Sequence, residues 1–297
     1  MRIQTTPLLI PSLKNITSLA AGSNHVLALD DKGAVQAWGS GQQNQLGRRI
    51  IERSKLSSLT PQGLGFPRRN KIVKIACGSY HSFALDAQGN VWGWGLNNFG
   101  ETGIEQGAGD DEAAILKPAV VSALQGYKIT DIAGGEHHSV ACDAEGRLIA
   151  WGRVDGHQVG VELEKLNKEN TIYDERDQPR ILFVPTVLSG KSQSSSTLAW
   201  PIGTRAYLLS AEVSDVVAVS AGTDNNFAIT KTGQAYSWGF SGNYQTGQGT
   251  TEDIEIPTMI DNTAVRGKKI VGAGAGGQYS MLFGEPDEDT PMTNGVA

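Results

Sequence analysis

Lys71–Gly103, KIVKIACGSYHSFALDAQGNVWGWGLNNFGETG, decides the fold of this 297-residue chain. It reads as three short strands and two tight turns. Lys71–Ala76 is apolar and β-branched, Cys77-Gly78-Ser79-Tyr80-His81 is a small-residue turn, and Ser82–Leu85 is a second strand. Asp86-Ala87-Gln88-Gly89 then opens with an acid and ends on a glycine that can take positive φ, which is hairpin chemistry. Val91–Trp94 is the third strand, stopped by Gly95. No helical period runs through it; the pattern is short runs bounded by punctuation.

The same phrase recurs. The glycine of the first turn falls at Gly22, Gly78, Gly135, Gly222 and Gly276, with spacings of 56, 57, 87 and 54 residues. The hairpin returns as Asp30–Gly33, Asp143–Gly146 and Thr230–Gly233, and the stop as Trp38-Gly39, Trp151-Gly152 and Trp238-Gly239. After each stop comes a further glycine: Gln45-Leu46-Gly47, Glu101-Thr102-Gly103, Gln158-Val159-Gly160 and Gln245-Thr246-Gly247. A period of this length with three or four strands per unit implies radial or stacked β units. One such sheet cannot cover its own apolar faces, so neighbours must pack face to face. The expectation is all-β, a β-propeller array of four full units and a half.

Composition narrows the rest. The repeat makes one array of a length that would otherwise suggest two domains. The 37 glycines suit a turn-rich β protein, and a net charge of −6 argues against general binding to nucleic-acid backbone while suiting a basic protein partner. No apolar run approaches the roughly 18 residues of a membrane span, and Met1-Arg2-Ile3-Gln4 lacks signal-peptide architecture. Cys77 and Cys142 sit in apolar strand contexts and read as reduced small hydrophobes, pointing to a reducing, intracellular compartment.

Units are expected near residues 16–70, 71–127, 128–215 and 216–267, with a half unit at 268–283. Residues 1–15 read as an outer strand feeding the first unit, 48–70 as a partly basic loop, and 104–112 as an acidic, Gly-rich loop. A long insertion over 161–212 contains a strand-like Ile181–Val184 and a mobile Ser-rich patch, Ser189–Thr197. Residues 284–297 read as an acidic disordered tail.

Ile75-Ala76-Cys77-Gly78-Ser79-Tyr80-His81-Ser82-Phe83-Ala84-Leu85 resembles the signature of the regulator of chromosome condensation family, and so do Leu19–His25 and Ile132–Ser139. Gly41–Arg48, Gly134–His138 and Trp238–Gln245 are similar to the family's founding member, an exchange factor for the GTPase Ran. The resemblance implies a seven-bladed propeller, one face binding Ran and releasing its GDP or GTP, the other docking on histones and the nucleosome. It implies a nuclear, chromatin-associated location, the cytoplasm being the other compartment compatible with the composition. The family carries about seven repeats. This chain is therefore expected to match the C-terminal portion of the array, without the family's basic arm and its GTPase-entering wedge. A fragment, a shortened gene product and an array not closed in the usual way all remain open.

The family's Ran-facing positions include an acid in the first of these turns, an arginine after Gln-Leu-Gly, and histidines in two later turns. By resemblance they fall here on Asn24, Arg48, His138 and Tyr279, with His137 beside them. Arg48 and His138 keep the family's residue type; Asn24 and Tyr279 do not. His25, His81 and His138 share one repeat position, and a residue present blade after blade is expected to serve the blade.

No His or Cys pair stands at ligand spacing, so no metal is expected. Ile270–Gly277 matches G-x-G-x-x-G, yet it lies in phase with the repeat and too near the chain's end for a βαβ unit, so no dinucleotide or other cofactor is expected. No nucleophile motif appears and no small-molecule substrate is expected; the chain reads as a monomer without covalent catalysis. The two readings carried forward are an exchange factor for Ran and a propeller module that binds protein or chromatin without exchange activity. An enzyme with a site in the propeller channel has no sequence feature behind it.

Overall fold

The computed structural model describes residues 6–189 and 213–285, with the backbone alone at 52–55. Its first sheet contains β1 (Ile16–Ala21), β2 (His25–Asp30), β3 (Val35–Gly39) and the two-residue β4 (Gln62–Gly63). The second contains β5 (Ile72–Cys77), β6 (His81–Asp86), β7 (Val91–Leu96) and β8 (Ala114–Val120). The third holds β9 (Ile129–Gly134), β10 (His138–Asp143), β11 (Leu148–Arg153), β12 (Thr171–Tyr173) and β13 (Pro179–Ser189). The fourth holds β14 (Val216–Ala221), β15 (Asn225–Thr230), β16 (Ala235–Gly239) and β17 (Ile254–Met259), and the last is β18 (Ile270–Ala275) with β19 (Ser280–Gly284). Every pairing is antiparallel, and in sheets one, two and four the strands lie in sequence order.

Each sheet leans on the next, and one apolar core fills each gap. Leu27, Leu29, Val35 and Leu46 of the first sheet receive Ile72, Ile75 and Trp94 of the second. Phe83, Leu85 and Val91 receive Ile132, Ile149 and Trp151, with Phe83 edge-on to Trp151 at 6.1 Å between ring centres. Val140, Leu148 and Val159 receive Val216 and Trp238. Phe227, Ile229, Ala235 and Ile260 receive Ile270. β6, β10 and β15 are buried along their whole length, covered by a strand on each side and a sheet on each face. A four-blade propeller arrangement with a two-stranded fifth sheet results.

Hairpin chemistry sets the register. Oδ1 of Asp86 accepts the N–H groups of Gln88 and Asn90 at 3.0 and 2.9 Å, and Asp30 and Asp143 do the same in their own turns. Gly33, Gly89, Gly146 and Gly233 follow at φ between +75° and +86°, where a side chain would be strained. Thr230 replaces the acid in the fourth sheet and still accepts the Gln234 N–H at 3.1 Å.

Several segments differ from expectation. Residues 6–15 make no strand: Pro7 and Pro11 have no N–H for a ladder, and Leu8 and Leu9 stand in solvent. The 48–70 loop contains a 3-10 segment, Glu52–Leu59, and then β4. The strand-like Ile181–Val184 is part of the eleven-residue β13, which pairs with β11 and carries β12 on its other edge. Of the Ser-rich patch only Ser189 is described, at the end of β13; residues 190–197 lie outside the described residues, as do residues 286–297 of the expected tail. Gly284 ends β19, and Glu285 pairs with Lys269 at 2.5 Å. Cys77 and Cys142 are free thiols, pushed up to about 12 by burial. No helix among the described residues is long and apolar enough to cross a membrane.

Candidate functional site: the loop face of the array

Two kinds of loop lie together on one side. The turn between the first and second strands of a sheet supplies a carbonyl to the loop that follows the tryptophan stop: Asn24 to Ser40, Tyr80 to Leu96, His137 to Arg153 and Asp224 to Phe240, at 2.7 to 3.0 Å. Neighbouring turns are also tied backbone to backbone, Ser23 to Ser79, Ser79 to Gly135 and Glu136 to Thr223. The face is thus a row of loops pinned to one another.

Beneath it runs a repeated relay. The carbonyl of Gln45 accepts both the Trp94 indole at 2.9 Å and the Ser82 hydroxyl at 3.1 Å from the next sheet. Ser82 has then spent its proton, so it can only accept, and His25 Nε2 at 2.8 Å must be the donor. His81, Ser139, Trp151 and the Glu101 carbonyl repeat this arrangement at 2.8 to 2.9 Å. His138 donates to Asn226 Oδ1 at 2.8 Å, while Asn226 and Trp238 donate to the Gln158 carbonyl. Each Nδ1 is left as a bare, buried lone pair. Burial disfavours the imidazolium: His25 and His138 are lowered to about 4, and His81 lies well below the ordinary value. The imidazole folds back over the turn glycine, where an added Cβ at Gly22, Gly78 or Gly135 would stand 2.0 to 2.3 Å from the ring.

The expected site residues divide accordingly. Asn24, His137 with His138, and Tyr279 occupy the same turn in three sheets, so all four belong to the loop-face turns. Asn24 and Tyr279 are exposed there, and the His137 side chain is 19% exposed. His138 is fully buried within the relay and presents no side-chain atom to a partner. Arg48 folds back onto its own blade: one terminal nitrogen donates to the Ala37 carbonyl of β3 at 3.1 Å and reaches the Leu46 carbonyl at 3.5 Å. Repeat position alone could not say which way these side chains point.

Other residues join the face without having been singled out. Phe99 packs on the His137 ring, 4.7 Å between centres, and carries the guanidinium groups of Arg153 and Arg180 at 5.4 and 5.1 Å. Arg153 is held by both oxygens of Asp155. Behind them Glu101, wholly buried, meets His137 Nδ1 at 3.0 Å. The signal was present: Glu101 is an acid where the other three units have Gln45, Gln158 and Gln245. At the far end Tyr244 and Tyr279 line a groove of about 710 Å³ between the fourth and fifth sheets, with Gln245, Gly247, Ile260 and Leu282. No group of three or more His, Cys, Asp or Glu side chains among the described residues could hold a metal ion.

The family described as RCC1-like domain matches residues 1–282. Protein pim1 of Schizosaccharomyces pombe is 40% identical over 286 residues, covering 96% of this chain and 48% of its own. Guanine nucleotide exchange factor SRM1 of Saccharomyces cerevisiae is 37% identical over 294 residues, 97% of this chain and 55% of its own. The chain thus spans about half the length of these curated relatives. Among solved structures, Prp20p from Saccharomyces cerevisiae, described with its binding properties to Gsp1p and histones, superposes with a TM-score of 0.81 at 36% identity. That match covers 97% of this chain and 60% of Prp20p.

Proposed function

Because this chain belongs to the family of RCC1-like domains, we propose that it acts as a guanine-nucleotide exchange factor for the GTPase Ran, through the loop face. The observation that carries the reading is the pinned row of turns. Its scaffold histidines are buried and neutral, while Asn24 and Tyr279 are exposed and His137 is partly exposed. The name of the SRM1 relative and the Gsp1p binding of Prp20p support it.

An exchange factor makes and breaks no covalent bond. It binds the nucleotide-free GTPase more tightly than the loaded one, and by reciprocity lowers nucleotide affinity by the same factor. A loop row already tied together loses little freedom on docking, so more of the contact energy goes into that difference. A net charge of −6 steers a basic partner surface toward the protein. The units at 16–70, 71–127, 128–215 and 216–267, with the half unit at 268–283, form the array, and the protein works as a monomer in the nucleus. The hairpin side is free for histones or the nucleosome.

Release of labelled GDP from Ran tests this reading: folded protein accelerates it, and an unchanged rate removes exchange. The second reading, a protein- or chromatin-binding module without exchange, is favoured by Asn24 and Tyr279, which depart from the residue types of the family's Ran face, and by the burial of His138. Retention of Ran or histones on the protein, together with an inert exchange assay, would establish it.

A further inference from the structure

We propose that Glu101 is a positioning residue of the loop face: it fixes which ring nitrogen of His137 carries the proton, so that Nε2 meets the partner as a hydrogen-bond acceptor. The partner half of this inference rests on the reading that the loop face engages the GTPase.

The repeat supplies its own controls. At the equivalent positions Gln45, Gln158 and Gln245, Oε1 accepts the N–H two residues earlier, from Gln43, Gly156 and Asn243, at 2.8 to 2.9 Å. The amide NH2 of the latter two then reaches the first turn of the next sheet: Gln158 donates to Asp224 Oδ1 at 3.0 Å, Gln245 to the Gly277 carbonyl at 3.2 Å. Glu101 keeps the local bond, Oε2 accepting the Phe99 N–H at 3.0 Å, and reaches the same turn of its neighbour at His137. A carboxylate offers only lone pairs, so the inter-sheet bond is reversed and the turn must supply the donor. The residues at this turn position are Asn24, Tyr80, His137, Asp224 and Gln278. Histidine alone among them can give a ring N–H on one side and hold a second ring nitrogen at the opposite edge.

With Nδ1–H committed to Glu101 at 3.0 Å, the tautomer this contact selects has its lone pair on Nε2. Phe99 packs on the ring at a tilt of 45°, 4.7 Å between centres. The lone pair on Nε2 calls for a donor from the partner, such as a hydroxyl or a peptide N–H. The scaffold histidines His25, His81 and His138 donate from Nε2, the opposite tautomer.

Glu101→Gln tests this without removing the local bond, because Gln158 shows how an amide sits at this position. Its NH2 would face Nδ1, so the ring must accept there and carry its proton on Nε2. Nitrogen-15 NMR of the full chain at about pH 8.5, above the ordinary histidine range, should show His137 protonated on Nδ1 in the wild type and on Nε2 in the variant. Affinity for nucleotide-free Ran should fall about tenfold, the scale of one lost hydrogen bond. His137→Asn should weaken binding similarly, and adding Glu101→Gln to it should cost nothing more. The same tautomer in wild type and variant, or a bare Nδ1 in the wild type, overturns the proposal. A reversed tautomer with unchanged affinity overturns its partner half. A wild-type protein that neither binds Ran nor releases GDP removes the GTPase reading and the partner half together, and the tautomer result then decides the Glu101–His137 half alone.

Discussion

At Gly78 an added methyl would stand 2.0 Å from His81 Cε1 and 2.6 Å from the Gly135 carbonyl, so both the ring and the neighbouring turn would have to move. Gly78→Ala should therefore destabilise the fold by about 3 kcal/mol, the upper end of ordinary overpacking, read as a shift in the denaturant midpoint. The histidines above these glycines make stability depend on pH. Their folded values are lowered, so the proton is taken up on unfolding. Stability is full above the unfolded value of about 6.5 and is lost as pH falls toward about 4, by up to roughly 1.4 kcal/mol per pH unit for each histidine. Denaturant titrations from pH 7.5 to 4 should show this slope, and His25→Gln should flatten it; a level profile contradicts neutral burial. That these histidines serve the blade was legible, because a residue repeated in phase serves what is repeated. The inward turn of His138 and Arg48 was not legible, since orientation follows from packing against a neighbouring sheet that sequence spacing does not display.

Each sheet is stabilised mostly by the next one, and the gap cores predict unequal local stability. Amide hydrogen exchange should be slowest in β6, β10 and β15, whose every residue is buried, and fastest in β18 and β19, where Val271, Met281 and Phe283 are half exposed or more. The first sheet should be intermediate: Leu19 is 65% exposed, whereas its counterparts Ile75 and Ile132 are buried. Equal protection across all five sheets would contradict a fold built from gap cores. Trp151 closes its gap by donating to the Glu101 carbonyl, which the Ser139 hydroxyl also reaches, so Trp151→Phe should cost about 1 kcal/mol for the one hydrogen bond lost. At Gln245, the fourth member of that carbonyl series, the groove lined by Tyr244 and Tyr279 stands where an indole lies in the other three. Strands bounded by Asp-x-x-Gly and Trp-Gly were read within two residues because their punctuation is local. β13 was read only in part. Its partner β11 lies far back in sequence, and an eleven-residue strand with two prolines has no period of its own.

For the whole molecule, the sheets make one curved row, and the loops on one side of it share a common foundation of buried His–Ser–carbonyl relays. That arrangement, more than any single side chain, gives the protein a preformed surface. Its family match covers nearly the entire chain. The family and the propeller were legible from five in-phase copies of one phrase, whereas Phe99, Arg153 and Arg180 come together only once β7, β11 and β13 are laid side by side. The central claim is that this loop face distinguishes empty from loaded GTPase. Titrating the protein with nucleotide-free and GDP-loaded Ran tests it most directly. The account predicts binding to the empty form tighter by at least 100-fold, a coupling of about 3 kcal/mol, and weakened by Tyr279→Ala; equal affinity for the two forms would contradict it.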